Sequence, residues 1–293
     1  MLDKTEESND IIVEAWNTVL FDKYFRFKHL FTEGLAPHTE QVLMRQGFAE
    51  GIRVLDVGCG FGDSTQAIAR MVGERGQAIG MDCARRFIES AKQDAAEAGV
   101  SNVDFFTADA SIDKLNGPYD EVFARFGTMF FNLLGAAMIN MRKSLKPGGR
   151  FTQVVWRKRQ DNPWLYDAEQ CVKEFVPVIS HDETDAVHCG PGPFSMAGPD
   201  MVSDMMQSTG WQHVTFERFD CEISIVRDID EAIQFAIAYG PAGEIISFAE
   251  EVGQKQLPRI MEALGKVFSN YERDDGSIWA PSSAWILTAN APD

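Results

Sequence analysis

A glycine-rich turn beside an acidic residue is the stretch of this chain most suited to binding a ligand. Asp56 lies in the short apolar run 52–57, which is followed by Gly58, Gly60 and Gly62. Glycines at every second position form a turn that lets a ligand approach the backbone, and the helix N-terminus after such a turn offers free N–H groups. A carboxylate beside this turn attracts positively charged groups. The stretch therefore predicts a binding site for a small molecule.

The glycine spacing distinguishes between two classes of ligand. A dinucleotide-binding turn has the pattern G-x-G-x-x-G, whereas this chain has an aspartate at position 63. The carboxylate of Asp56 would also repel an anionic pyrophosphate. S-adenosylmethionine carries a sulfonium and an ammonium group but no phosphate. It therefore fits the turn better than a dinucleotide does.

The elements around this turn alternate regularly from position 51 onward. Five strands are predicted at 52–57, 77–81, 103–107, 119–124 and 150–156, with helices at 63–72, 84–97 and 130–144. Strands that alternate with helices form right-handed βαβ units and a parallel sheet. Ligands of such sheets bind at the carboxyl ends of the strands. Asp82 and Asp109 follow the second and third predicted strands, so both are expected at the same sheet edge as Asp56.

Outside this region the pattern is less regular. It predicts a frayed tail at 1–9, helices at 11–27, 35–47, 199–209, 228–239 and 244–270, and strands at 211–224 and 284–289. We therefore predict an N-terminal helical cap at 1–50, an S-adenosylmethionine-binding core at 51–156, a lid insertion at 157–198, a continuation of the core at 199–226, a helical insertion at 227–283 and the last core strand at 284–293.

Composition limits the class of partner. The chain has 44 acidic and 27 basic residues and a net charge of -17. Such a surface repels nucleic acid phosphates and anionic membranes, so neither is an expected partner. The 5 cysteines are odd in number and show no C-x-x-C spacing, which suggests neither a disulfide framework nor a zinc site. Together with an N-terminus that lacks a signal-peptide pattern, this favours a cytoplasmic protein.

The motifs at the strand ends resemble those of class I S-adenosylmethionine-dependent methyltransferases. The stretch VLDVGCGFG at 54–62 is similar to the first motif of that family. The others follow in order: IGMD at 79–82, FFTADA at 105–110, YDEVF at 119–123 and LKPGGRF at 145–151. The resemblance implies an α/β fold with a seven-stranded, mostly parallel, Rossmann-like sheet, helices on both faces and a helical cap. More loosely, the chain looks like bacterial small-molecule methyltransferases near the ubiquinone/menaquinone C-methyltransferase group.

The resemblance also implies S-adenosylmethionine as cofactor and assigns roles around it. Asp82 would bind the ribose hydroxyls, Asp109 would accept the adenine amino group, and the Ala110 backbone N–H would donate to the adenine ring. For both aspartates the alternative is capping of the following helix, and for Cys83 it is packing at a helix start rather than on the adenine. The predicted cofactor-binding residues are Asp56, Gly58, Cys59, Gly60, Gly62, Asp82, Cys83, Asp109, Ala110 and Arg125.

The acceptor site is less well defined by the sequence. The segment RFGTMFF at 125–131 lacks the Asn/Asp-Pro-Pro-Tyr/Phe signature of methyltransferases that act on nucleobases or glutamine. Aromatic and methionine side chains suit a mostly apolar acceptor, although ordinary core packing is the alternative for each. The predicted pocket walls are Trp16, Phe126, Met129, Phe130, Trp164, Phe194 and Tyr239. The candidate bases are His29, His181, His188 and Tyr24.

These patterns predict an enzyme that transfers a methyl group to a small, mostly apolar metabolite by in-line displacement. The donor is already activated, so the enzyme mainly aligns and desolvates the acceptor. No resident metal is predicted, because the acidic and histidine-containing run 181–189 does not have a distinctive ligand spacing. The alternatives are a regulatory protein that binds S-adenosylmethionine or S-adenosylhomocysteine without catalysis, and an NAD-dependent oxidoreductase. The sequence leaves open which atom is methylated and whether the chain forms a homodimer.

Overall fold

Seven strands form one sheet in the computed structural model, which describes residues 4–176 and 191–293. The strands are β1 (Arg53–Val57), β2 (Gln77–Asp82), β3 (Val103–Thr107), β4 (Tyr119–Arg125), β5 (Leu145–Trp156), β6 (Gln212–Val226) and β7 (Ile278–Asn290). Their spatial order is β3-β2-β1-β4-β5-β7-β6. Strands β1 to β5 pair in parallel, and β7 is antiparallel to both of its neighbours. This arrangement confirms the predicted seven-stranded, mostly parallel α/β fold.

The central strand β1 is apolar along most of its length because it is covered on both faces. Val54, Leu55 and Val57 are all 0% exposed, as expected for a strand inside a parallel sheet. β1 lies between β2 and β4, so the chain order reverses at its sides. Open parallel sheets bind ligands at the carboxyl ends of the strands beside such a reversal. The turn after Val57 stands at that position.

Helices connect the strands and cover them. Their bounds are α1 (Lys4–Asn17), α2 (Val19–Arg26), α3 (Ala36–Gln46), α4 (Asp63–Val72), α5 (Arg85–Glu97), α6 (Leu134–Lys143), α7 (Pro163–Lys173), α8 (Pro199–Ser208), α9 (Ile229–Ala238), α10 (Gly240–Phe248) and α11 (Glu250–Phe268). Between α2 and α3 the chain makes one π-helical turn at Leu30–Gly34. None of the helices in the described ranges is long and apolar enough to cross a membrane.

Several element boundaries differ from those predicted. α1 begins at Lys4, so most of the tail predicted to be frayed is helical. The helix predicted at 130–144 begins only at Leu134, because a short 3-10 turn precedes it. The segment after β5 contains α7, which starts at Pro163, because the fixed φ of proline suits the first position of a helix. β7 begins at Ile278, earlier than predicted, because the long strand β6 pairs with it up to that residue.

The last three helices form an insertion between two paired strands. β6 and β7 are antiparallel neighbours, and α9, α10 and α11 lie between them in the chain. These helices pack against one another, and α10 and α11 also pack against α7. The insertion joins the N-terminal helices through aromatic contacts, such as that of Phe27 with Phe235 at 5.3 Å between ring centroids. Together these helices make a cap on the core.

Candidate active site

The turn after β1 contains three glycines in the left-handed region of backbone space. Their φ angles are 67° at Gly58, 52° at Gly60 and 78° at Gly62. A Cβ atom at Gly62 would lie 2.8 Å from the Cβ of Ala91 and 2.9 Å from Phe105 Cε1, whereas a Cβ at Gly60 would meet nothing within 4 Å. Gly62 is therefore required for packing. Gly60 instead leaves open space beside the backbone, which is what a bound ligand needs.

Backbone and carboxylate hydrogen bonds tie this turn to the end of β2. The N–H groups of Gly58 and Cys59 donate to the carbonyl of Met81 at 2.8 and 3.0 Å. Asp82 Oδ2 accepts from the Gly60 N–H at 3.1 Å, and Oδ1 accepts from the Ala84 N–H, just before α5, at 2.9 Å. Burial raises the pKa of Asp82. Asp82 thus supports the turn and caps α5, while each oxygen keeps lone-pair capacity for a ligand hydroxyl.

Asp56 holds the start of α4 from inside the core. The residue is 1% exposed, and its Oδ2 accepts hydrogen bonds from Ser64 Oγ at 2.7 Å and Thr65 Oγ1 at 2.6 Å. Its Oδ1 has no hydrogen-bond partner within the described ranges 4–176 and 191–293. Burial, the largest cause, raises the pKa of Asp56 to about 6 and outweighs the two hydroxyl hydrogen bonds, which lower it. Asp56 therefore fixes the first turn of α4, directly after the glycines.

Arg125 connects the end of β4 to the turn and to the N-terminal region. Its guanidinium group pairs with both carboxylate oxygens of Asp63, at 2.8 and 3.0 Å. The same group donates to Thr39 Oγ1 and, at 3.2 Å, to the carbonyl of Phe31. The Arg125 side chain is 8% exposed. Because its N–H groups donate to these protein groups, Arg125 holds the end of β4 against the start of α4 and the N-terminal region, beside the predicted cofactor site.

The residues predicted to surround the adenine lie at the ends of β2 and β3. The Ala108 N–H donates to the carbonyl of Asp82 at 3.0 Å, which brings the two strand ends together. Asp109 Oδ1 accepts from the Ser111 N–H at 2.7 Å within a turn, and because no helix lies between β3 and β4, a stretch that the structure describes in full, the alternative that Asp109 caps a helix is wrong. Ala110 is buried. Burial, the largest cause, and the charge of Asp82 raise the pKa of the half-buried Cys83 thiol. Burial likewise raises the pKa of the buried Cys59 thiol well above its usual range. These positions stay predictions as adenine contacts.

Aromatic rings form a connected layer between the cap and the sheet edge. Trp16 contacts Phe130 and Tyr24, each at 5.2 Å between centroids. Tyr24 contacts Tyr239 at 4.9 Å, and Tyr239 stacks on Phe235 at 5.0 Å. Residues of α1, α2, the 3-10 turn Thr128–Phe130 and the end of α9 thus contribute to one aromatic layer.

A second part of this layer lies over the ends of β4 and β5. Phe126, the residue after β4, stacks on Trp156 at 4.0 Å, and Trp156 contacts Trp164 at 6.4 Å. Trp164 in turn stacks on Phe235 at 6.0 Å. Phe126 has a φ of 56°, which is uncommon for a residue other than glycine and is found most often at binding sites. The layer therefore includes Trp16, Phe126, Phe130, Trp164 and Tyr239 of the predicted pocket walls.

Of the two remaining predicted pocket walls, Met129 touches this layer through its sulfur, which accepts from the Trp156 backbone N–H at 3.4 Å. Met129 is 1% exposed, and its carbonyl accepts from the Gly192 N–H at 2.9 Å and Ser195 Oγ at 2.7 Å. Phe194 packs under the guanidinium group of Arg159, 5.6 Å from its ring centroid. Met129 therefore anchors the segment that begins at residue 191. Neither side chain takes part in the aromatic contacts described above.

The candidate bases have surroundings of different kinds. Burial raises the pKa of both Tyr24 and Tyr239 above their usual range, so both hydroxyls are protonated at neutral pH and can donate hydrogen bonds. His29 Nε2 lies 3.1 Å from Glu231 Oε1, without the alignment of a hydrogen bond. His181 and His188 lie outside the described residues. No group of three or more His, Cys, Asp or Glu side chains that could hold a metal ion occurs in the described part of the chain.

A cavity inside the cap carries two polar atoms that lack partners. It is lined by Trp164, Phe235, Tyr239 and Phe268, among others. The indole Nε1 of Trp164 and the hydroxyl of Tyr239 are buried and have no hydrogen-bond partner among the residues that the structure describes. The rest of the lining is apolar. The volume of the cavity, about 10 Å³, suits at most one water molecule.

Sequence reasoning missed His38, which is the most buried of the described histidines. It lies on α3, is 0% exposed and contacts Phe126 and Trp156 with its ring edge. One signal was available in the sequence: His38 lies three residues after Leu35 and four before Val42, on the apolar face of the predicted helix. Its hydrogen-bond partners, Ser282 and Cys221, come from β7 and β6, and no local pattern reveals them.

Comparison with known proteins identifies the domain around the turn. Residues 54–149 match the family model described as a methyltransferase domain. A demethylmenaquinone methyltransferase of Lactiplantibacillus plantarum is 24% identical over 213 residues, which cover 69% of this chain and 90% of that protein. A ubiquinone/menaquinone biosynthesis C-methyltransferase of Pseudomonas aeruginosa is 34% identical over 120 residues. In this second case the match covers 40% of the chain and 46% of the relative, about half its length.

Solved structures share the fold. The phosphoethanolamine N-methyltransferase 2 of Haemonchus contortus, in complex with phosphomonomethylethanolamine and S-adenosylhomocysteine, matches with a TM-score of 0.58. The sequence identity is 15%, and the match covers 96% of this chain and 61% of that one. At this identity the similarity concerns the fold.

Proposed function

Because this chain contains a class I S-adenosylmethionine-dependent methyltransferase domain, we propose that it transfers the donor's methyl group to a small, mostly apolar metabolite. The observation that carries the proposal for the acceptor is the aromatic layer over the strand ends. That layer reaches Phe126, the residue directly after β4, through the stack with Trp156. A planar or apolar acceptor is recognised by such rings through burial of apolar surface and ring stacking.

The donor would lie across the glycine turn. The open space beside Gly60 suits the close approach of a ligand to the backbone. The lone-pair capacity left on Asp82 suits the two ribose hydroxyls, and its backbone hydrogen bonds hold the carboxylate in place for them. The acidic groups Asp56 and Asp63 make the surroundings of the turn suitable for a ligand that carries positive charge. These features support binding of S-adenosylmethionine by the residues named above.

The contribution of the protein to the reaction would be alignment and exclusion of water. The bound donor supplies an activated methyl group, so the acceptor has only to be held in line with the breaking bond. The Arg125–Asp63 ion pair fixes the end of β4 relative to the turn. The aromatic layer removes water from the acceptor side and so favours attack by an uncharged nucleophile. Tyr24 and Tyr239 would donate hydrogen bonds to the acceptor rather than remove a proton.

The test is an acceptor screen with a methyl-labelled donor. Purified protein would be incubated with labelled S-adenosylmethionine and sets of small molecules that differ in charge and in aromatic character. Label should enter uncharged aromatic or other apolar compounds, with stoichiometric release of S-adenosylhomocysteine. Transfer only to strongly charged acceptors would contradict the proposed acceptor class. Tight donor binding without transfer to any compound would favour the regulatory alternative.

The setting of this activity is also proposed from the sequence. We expect a cytoplasmic enzyme whose acceptor is not a nucleic acid, because the net charge of -17 opposes association with phosphate-rich polymers. Size-exclusion chromatography with light scattering would determine whether it forms a homodimer.

A further inference from the structure

His38 is a buried and uncharged histidine beside the carboxyl end of β4. Its side chain is 0% exposed, and its ring centroid lies 5.3 Å from that of Phe126, 5.2 Å from Trp156 and 5.3 Å from Phe219. Burial, with a smaller contribution from the charge of Arg125, lowers the pKa of His38 to about 3. The ring is therefore neutral at physiological pH, and one of its two nitrogens carries no proton.

The hydrogen bonds of Ser282 assign the proton to Nε2. Ser282 Oγ donates to the backbone carbonyl of Cys221 at 2.9 Å, and His38 Nε2 lies 2.9 Å from the same Oγ. With its single proton on that carbonyl, Ser282 Oγ can accept from Nε2, and Cys221 Sγ lies 3.5 Å from the same nitrogen. A proton on Nδ1 would instead leave a buried N–H without an acceptor in the described part of the chain, so we assign the proton to Nε2. Nδ1 then carries a lone pair. It has no hydrogen-bond partner within residues 4–176 and 191–293.

An unpartnered acceptor in this position is unfavourable for the protein alone. A buried acceptor that lacks a donor costs about 1–3 kcal/mol. A phenylalanine at this position would fill an aromatic environment without that cost. The lone pair of Nδ1 is therefore better suited to a donor group that arrives with a ligand.

The position of His38 relative to the proposed donor site indicates which ligand this is. Thr39, the next residue, accepts a hydrogen bond from Arg125, the last residue of β4. Phe126 follows at once, with its φ of 56°, and its ring contacts that of His38. Ligands of parallel sheets bind beyond such strand ends. The acceptor of the methyl group must lie beside the donor at this edge.

We propose that His38 Nδ1 positions the methyl acceptor by accepting a hydrogen bond from its hydroxyl or N–H group, so that the acceptor is an uncharged planar molecule with such a donor. This inference rests on the proposed function and names the chemistry of the acceptor. An anion is disfavoured by the apolar surroundings, and a cation by the nearby charge of Arg125. The rings of Phe126 and Trp156, which contact His38 in this structure, must shift to admit the acceptor.

The test compares two matched probes on protein saturated with S-adenosylhomocysteine. The first is 4-methoxyphenol, which has a hydroxyl donor, and the second is 1,4-dimethoxybenzene, which lacks it. In ¹⁵N-histidine-labelled protein, the phenol should shift the Nδ1 resonance of His38, assigned with His38→Phe. It should also bind at least tenfold more tightly than the diether. The diether should leave that resonance unchanged.

Two variants separate a binding role from a structural one. His38→Phe should remove the preference for the phenol while S-adenosylhomocysteine affinity stays within twofold, and the exposed His213→Asn should change neither quantity. Ser282→Ala keeps the imidazole ring but removes the oxygen that accepts from Nε2. The proton is then no longer held on Nε2, so the preference for the phenol should fall severalfold. Equal binding of both probes, or an Nδ1 resonance that neither probe moves, would overturn the inference and indicate a trapped water or plain packing. If the wild-type protein does not bind S-adenosylhomocysteine, the proposed function is refuted instead.

Discussion

Alanine substitutions at two glycines of one turn should impair different properties. Gly62→Ala should mainly lower the free energy of unfolding, and Gly60→Ala should mainly lower the affinity for the donor. In Gly62→Ala the residue adopts a φ of 78°, which costs a non-glycine residue about 1–2 kcal/mol. Its Cβ would also meet Ala91 at 2.8 Å and Phe105 at 2.9 Å, and such overpacking costs about 1–3 kcal/mol. The free energy of unfolding should therefore fall by about 2–5 kcal/mol.

The substitution Gly60→Ala should cost much less stability. Its φ is 52°, so the same backbone term of about 1–2 kcal/mol applies, but the new methyl group meets no protein atom within 4 Å. That methyl group would stand in the space proposed for the donor. The affinity for S-adenosylhomocysteine should fall at least tenfold, which corresponds to about 1.4 kcal/mol.

Urea unfolding and calorimetric titration of the two variants test this contrast. Gly60→Ala should lose only the backbone term of about 1–2 kcal/mol but bind weakly, whereas Gly62→Ala should show the larger loss of stability. A stable Gly60→Ala protein with wild-type affinity would refute the reasoning that the open side of the turn faces the donor.

Four further predictions concern charge and hydrogen bonding in the core. Because the folded-state pKa of Asp56 is raised to about 6, the native state binds the extra proton, and the contribution of Asp56 to stability should fall by about 3 kcal/mol as pH rises from about 3 to about 7; urea unfolding at several pH values should show this difference between the wild type and Asp56→Asn. His38, whose pKa is lowered to about 3, should act in the opposite sense. Its contribution should fall by about 5 kcal/mol as pH falls from about 7.5 to about 2, so the stability of His38→Phe relative to the wild type should rise over that range. Arg125→Met leaves Asp63 without its partner and should cost about 2–4 kcal/mol, much of which Arg125→Met with Asp63→Leu should restore, as measured by denaturant midpoints. Tyr24→Phe should lower kcat less than tenfold and leave its pH profile unchanged, because a hydroxyl with a raised pKa acts as a donor rather than a base; loss of an alkaline limb would contradict this.

The sequence was informative where a function depends on neighbouring residues. The strand ends, the glycine turn and the acids at positions 56, 82 and 109 could all be located from local patterns, since each strand carries its own motif. The parallel arrangement then placed them at one edge without further information. The seven-stranded fold followed from the family resemblance that these five motifs carry, because the last two strands have no motif of their own.

The acceptor side could not be predicted because its contacts join distant positions. His38 and Ser282 are separated by 244 positions, and Arg125 and Asp63 by 62. The role of His38 depends on how β6 and β7 extend beyond the end of β5, and that of Arg125 on how the end of β4 meets the start of α4; both are properties of the whole sheet. α7 was missed because the prolines around it indicated an irregular segment, although Pro163 stands where a helix can begin.

Calorimetric titration of S-adenosylhomocysteine into the wild type, Asp82→Asn and Asp120→Asn tests the central claim most directly. Asp120 is a matched acid at the other end of the sheet, where it accepts from the Arg53 N–H at the start of β1 at 2.9 Å, whereas the glycine turn follows the end of β1. The account predicts tight binding to the wild type and to Asp120→Asn, at least tenfold weaker binding to a folded Asp82→Asn protein, and no comparable binding of NADH. Equal affinities for all three proteins would contradict the assignment of the β2 carboxylate to the donor ribose.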